Sequence, residues 1–100
     1  MENTSNINGQ IFARMVFGGA NNLRIHAQTI NNLNVFPIPD GDTGDNMMLT
    51  MIGGCDAIGS GSDSIAEVSR KVADGMLLSA RGNSGFILSQ FFAGIAEGFA

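Results

Sequence analysis

"NVFPIPDGDTGDNM", residues 34 to 47, decides how the rest of the chain is read. It contains the only two prolines, Pro37 and Pro39, and directly after them three aspartates, Asp40, Asp42 and Asp45, within six residues. Proline lacks an amide proton and biases the residue before it toward extended geometry, so neither a helix nor a central strand continues through this point. The stretch therefore divides two elements and places an acidic loop between them.

Upstream, Ile11, Met15, Leu23, Ala27, Ile30 and Leu33 fall largely at three- and four-residue steps. That spacing predicts an amphipathic helix over residues 7 to 33, with a bend near Gly18-Gly19. Downstream, Met47, Met48, Met51, Ile52 and Cys55 predict a second helix from Thr43 to Ile58, ended by the breaker "GSGSDS". Ser64 and Glu67 have the spacing of a capping box, in which each side chain satisfies an orphan amide. Val68, Val72, Met76 and Leu77 then carry a third helix to about Ala80. After "RGNSG", residues 81 to 85, a fourth helix is expected from Phe86 to Phe99. It has Ile87, Phe91, Ile95 and Phe99 on one stripe and Leu88 and Phe92 beside it. No stretch alternates with a strand period, so the fold class is all-α. The fourth helix is apolar around most of its circumference, the pattern of a helix packed on more than one side. No capping residue follows it, and the chain reads as a piece of a larger domain.

Composition limits the function classes. With 44% hydrophobic and 14% charged residues in 100, the chain is globular and not disordered. A net charge of −4 without any Lys/Arg run excludes a nucleic-acid or anionic-membrane surface, so a polyanionic ligand must be held by metal ions or backbone amides. One cysteine, Cys55, forms no internal disulfide, and "MENTSNINGQ" lacks the basic and apolar regions of a signal peptide. A cytoplasmic setting is expected. No run of about 20 apolar residues predicts a membrane span.

Asp40 and Asp42, two residues apart after a stiffened turn, put two carboxylates on one side of an extended backbone. Like charges so placed favour a hard divalent cation, and an oxygen-only ligand set favours Mg²⁺, Mn²⁺ or Ca²⁺ over zinc, of which Mg²⁺ characteristically shares carboxylates with phosphate oxygens. Thr43-Gly44-Asp45-Asn46 opens one helix and "RGNSG" opens another with Asn83 or Ser84 at its start, so two helix N-termini and a metal would make a phosphate cradle. The plainer alternative is a solvated turn with an Asx cap. An EF-hand is excluded, because Met51 stands where its terminal glutamate would fall. His26 reads as a satisfied structural histidine, Cys55 as a core filler and Arg81 as a helix C-terminal residue. The methionines after the loop read as packing that can also line a purine pocket.

"LNVFPIPDGDTGDNM", followed by "ARGNSGFILSQFF", closely resembles the N-terminal kinase domain of the bacterial fatty acid kinase A subunit, itself related to the L subunit of dihydroxyacetone kinase. The resemblance implies an antiparallel helical barrel of about eight helices, of which residues 1 to 100 would be the N-terminal half, about four helices. It implies ATP or ADP and Mg²⁺ as ligands, with Asp40 and Asp42 as metal ligands. Thr43, Gly44, Asp45 and Asn46 would contact the nucleotide phosphates, and Asn83, Ser84 and Gly85 would form the second contact. Two positions depart from the family. The dihydroxyacetone kinase branch has a further aspartate where this chain offers Asn34 or nothing, and Asp45 replaces a small or hydroxylated residue. An added carboxylate there recruits a second cation or repels phosphate, and the first reading is preferred. The implied acceptor is a fatty acid carboxylate presented by a lipid-binding partner protein, and a homodimer is expected of the full-length protein. A triose-type acceptor, as in dihydroxyacetone kinase, and a non-catalytic nucleotide-binding fragment are the alternatives. The 100-residue piece alone is expected to be inactive.

Overall fold

A computed structural model describes residues 7–33, 42–59 and 62–99. They form four α-helices: α1 (Gly9–Leu33), α2 (Thr43–Ile58), α3 (Ile65–Ser79) and α4 (Gly82–Phe99). Among the described residues there is no strand. The all-α class is borne out, and so are the divisions before Thr43 and after Ile58. Pro37, Pro39 and Asp40 lie outside the described residues.

Contacts between the helices give their directions. The Gly9 amide, at the start of α1, donates to the Asp63 carbonyl just before α3, while Asn31, near the end of α1, bonds the start of α2. Gly53 lies against Gly75 and Ser79, and Gly54 against Val72 and Met76, so α2 and α3 run oppositely. Arg70 on α3 pairs with Glu97 near the end of α4, at 3.5 Å. The helices thus run up, down, up and down, which is how sequential helices joined by short connections pack.

The core is built from Phe12, Val16, Met51, Ile58, Val68, Val72 and Met76. Gly53 and Gly75 face each other with no room for a Cβ, so α2 and α3 approach closely at that crossing. Phe12 and Phe99 meet edge to face at 6.2 Å and join the first helix to the end of the last.

Several expectations are corrected in register. The buried stripe of α1 is Phe12, Val16, Ala27 and Asn31, while Met15 and Leu33 are exposed. α1 stays helical through Gly18-Gly19, where neither glycine has a neighbour in van der Waals contact with the place of a Cβ. α4 begins at Gly82, a full turn before Phe86, and turns Gly85, Ser89 and Ala96 inward. Leu88, Phe92 and Ile95 pack partly against the core, but Ile87 and Phe91 are 64% and 70% exposed. Ser89 is tolerated inside because its hydroxyl donates to the Phe86 carbonyl at 2.6 Å, leaving no orphan donor. Leu77, expected on the buried face of α3, is exposed, and Leu78 beside it is 90% exposed. The capping box is half formed. Ser64 accepts from the Glu67 amide at 3.2 Å, but the Ser64 amide donates to the Ser62 hydroxyl, and Glu67 instead pairs with Lys71 and accepts from Ser62.

Candidate functional site

The acidic stretch enters the described residues at Asp42, the N-cap of α2. Its backbone is at φ −120°, ψ 9°, its carbonyl accepts from the Asn46 amide at 2.9 Å, and its side chain makes no cap hydrogen bond. An exposed carboxylate at a helix N-terminus is stabilised by the positive end of the helix dipole. Asp45 is also exposed, one turn further on. Among the described residues no three His, Cys, Asp or Glu side chains come together as a metal cage. Asp40, the other expected ligand, lies outside the described residues.

The cap of α2 is supplied by a residue thirteen positions upstream. Asn31 is buried, and its Oδ1 accepts from the Gly44 amide at 2.8 Å and from the Asp45 amide at 3.2 Å. Asn31 thereby takes up amides that the start of α2 would otherwise present. Gly44 and Asp45 donate to Asn31 and Asn46 donates within the helix, so the amides of these three are engaged. What α2 presents outward is its dipole, the Thr43 and Asn46 side chains and the two exposed carboxylates.

The start of α4 lies alongside. Gly82 has φ +66°, a conformation that costs a residue with a Cβ about 1 kcal/mol or more, and a Cβ there would stand 2.8 Å from Asn46 Nδ2. Gly85 is buried, and a Cβ on it would run into Thr50 Oγ1. Thr50, 0% exposed, donates its hydroxyl to the Asn46 carbonyl at 2.8 Å and accepts from the Arg81 amide at 3.3 Å. The two expected phosphate contacts are therefore neighbours in space. Asn83 is exposed and Ser84 half-buried, both in the first turn of α4, where amides have no helical acceptor. The Gly85 amide is already bonded to the Arg81 carbonyl at 3.1 Å, so Gly85 contributes closeness and not a donor.

The remaining expectations divide. His26 is satisfied, its Nδ1 lying 2.8 Å from the Asn22 carbonyl one turn back. Cys55 is half-buried against the core, and burial first, then the neighbouring Asp56 charge, pushes its thiol up from the ordinary value. Arg81 does not supply the α3 C-cap, which is Ala80, whose amide donates to the Leu77 carbonyl at 3.4 Å. Met47 and Met51 border an apolar cleft of about 340 Å³ between α1, α2 and α4, with Leu23, Ile30, Leu88 and Phe92 on its other sides. No helix of the described residues is long and apolar enough to cross a membrane. Asn31 and Thr50 escaped the sequence reading, and the only signal for either was a polar side chain interrupting an apolar stripe.

Comparison with known proteins bears on the family. The family model described as DAK2 domain matches residues 37–100, which takes in the acidic loop and both helix starts. An uncharacterized protein of Staphylococcus saprophyticus is 49% identical over 94 residues, covering 93% of this chain and 17% of the relative. An uncharacterized protein of Staphylococcus aureus is 48% identical over the same length and shares. The chain thus spans about a sixth of the length of the curated relatives it matches, 17% in each case.

Proposed function

Because the chain belongs to the DAK2 domain family, a dihydroxyacetone kinase-type family, we propose that its paired helix starts bind the phosphates of ATP for Mg²⁺-dependent phosphoryl transfer. The observation carrying this reading is the juxtaposition of the α2 and α4 starts, locked at Gly82, Gly85 and Thr50. Helix N-termini attract phosphate through their dipoles and unsatisfied amides, and two on one ligand can address two phosphate groups.

The residues present suit the metal. Asp42 offers an exposed carboxylate not consumed by capping, and oxygen ligands favour a hard cation. Asp42 would hold Mg²⁺ together with Asp40, and Asp45 stands near enough along the chain to favour a second cation. When bound, Mg²⁺ neutralises charge on the phosphate oxygens. The chain's own groups do the positioning. The Ser84 hydroxyl and the first amides of α4 donate to phosphate oxygens, and the Asn46 and Thr43 side chains add polar contacts from α2. Such preorganised donors stabilise a transition state whose charge is spread over oxygens.

The acceptor proposed is a fatty acid carboxylate presented by a lipid-binding partner protein, in the cytoplasm. A dihydroxyacetone-type acceptor is the second reading, and the family match supports it at the level of the family. The four helices are proposed as the first part of the domain, and the exposed Ile87, Phe91 and Leu78 support further helices packing there. Calorimetric titration of ATP into the full-length protein tests the reading. Binding should require Mg²⁺ and be abolished by Asp42→Asn with helix content intact, and unchanged affinity would return the acidic loop to a solvated turn.

A further inference from the structure

We infer that Thr50 is the positioning residue that sets the distance between the two helix starts, an inference that rests on the nucleotide reading above. Three observations converge on it. Its hydroxyl is fully buried and used twice, donating to Asn46 within α2 and accepting from Arg81 thirty-one residues later, immediately before α4. Gly85 presses on the same oxygen, where even a methyl group would not fit. The Asn46 side chain lies on Gly82, so the carbonyl that Thr50 holds belongs to the residue that touches the turn.

The two bonds serve different ends. Threonine hydroxyls commonly bond back to a carbonyl one turn earlier, which satisfies the donor but fixes nothing beyond the helix. Here that local bond aims the oxygen's lone pairs outward, and the Arg81 amide takes one of them. The amide has no helical acceptor at this tight connection, because α3 has ended at Ser79 and α4 begins at Gly82. Thr50 therefore transmits the position of α2 to the first amides of α4. No Thr50 atom needs to touch the nucleotide.

Valine matches threonine in shape and lacks the hydroxyl, while serine keeps the hydroxyl and loses a methyl. In the full-length protein, Thr50→Val should weaken Mg²⁺·ATP binding roughly three- to tenfold, the factor expected from one ordinary hydrogen bond. Thr50→Ser should stay within about twofold of the parent, its hydroxyl bonds being kept. Val16→Ala, which opens a cavity in the core away from both helix starts, should lower the melting temperature and leave ATP affinity unchanged. Thr50→Val with parental affinity, or Val16→Ala with an equal loss, would overturn the inference by reducing Thr50 to packing. Hydrogen exchange without nucleotide tests the brace separately: Thr50→Val should lose protection at the Arg81 amide, and retained protection would overturn the inference. A parent that bound no Mg²⁺·ATP would overturn the nucleotide reading and the positioning role with it, whereas binding that is insensitive to Thr50→Val would overturn this inference alone.

Discussion

Replacing Asn31 by leucine tests how the candidate site is held. The side chains are similar in size, but leucine offers no acceptor to the Gly44 and Asp45 amides. Gly44 is buried, so its abandoned amide bears the desolvation penalty of an unpaired donor, about 1–3 kcal/mol. Asp45 is exposed, water replaces the lost acceptor, and the cost is nearer ~0.5–1 kcal/mol. Leucine, the better helix former in α1, returns up to about 0.7 kcal/mol. The net loss is about 1–3 kcal/mol, comparable to deleting a good N-cap. Thermal unfolding followed by circular dichroism should show a lower midpoint, and hydrogen exchange should show deprotection centred on residues 43 to 46, at the start of α2. Asn31→Asp keeps an acceptor oxygen and should lose less. A leucine variant with the parent's midpoint and the parent's protection at Gly44 would refute the assignment of Asn31 as the cap of α2.

Two further outcomes follow from local chemistry. Ser84→Ala removes a hydroxyl from the first turn of α4 and should weaken ATP several-fold without abolishing it; Ser84→Pro deletes the amide donor as well, at a position in the helix where proline is tolerated, and should weaken it further. Parental affinity in both, measured by calorimetry in folded variants, would confine the phosphate contacts to α2. The Cys55 thiol, raised by burial and by Asp56, ionises later in the folded chain than in the unfolded one. Its stabilising contribution is complete below the unfolded thiol's pKa and is lost as pH rises through the folded value, so stability should fall in that alkaline window. Cys55→Ala should remove this component of the pH dependence, and an unaltered alkaline slope would contradict it.

Helix boundaries were legible where the chain carries hard stops, as at Pro37, Pro39 and "GSGSDS". The start of α4 was read a turn late because glycine, asparagine and serine signal a break, yet the same residues suit a helix N-terminus, and Gly82 is needed for its positive φ. The faces of α1 and α4 were rotated because polar residues were assumed to point outward. Asn31, Thr50 and Ser89 are inside, each hydrogen-bonded to backbone, so a polar residue does not mark the outer face of these helices. Partners thirteen and thirty-one residues away leave no periodic trace in a single sequence. The candidate site was legible as two motifs but not as one place. Their adjacency depends on Gly85 against Thr50, a contact between a residue of the second motif and one that neither motif includes.

Hydrogen-exchange mass spectrometry of the full-length protein, with and without Mg²⁺·ATP, bears most directly on the claim that the two helix starts form one phosphate site. The first amides of α4, residues 82 to 84, should slow on nucleotide addition together with those of residues 43 to 46, whose existing hydrogen bonds open less often once the helix start is occupied, and both effects should require Mg²⁺. Protection of only one segment, or of neither while ATP binds elsewhere, would contradict it.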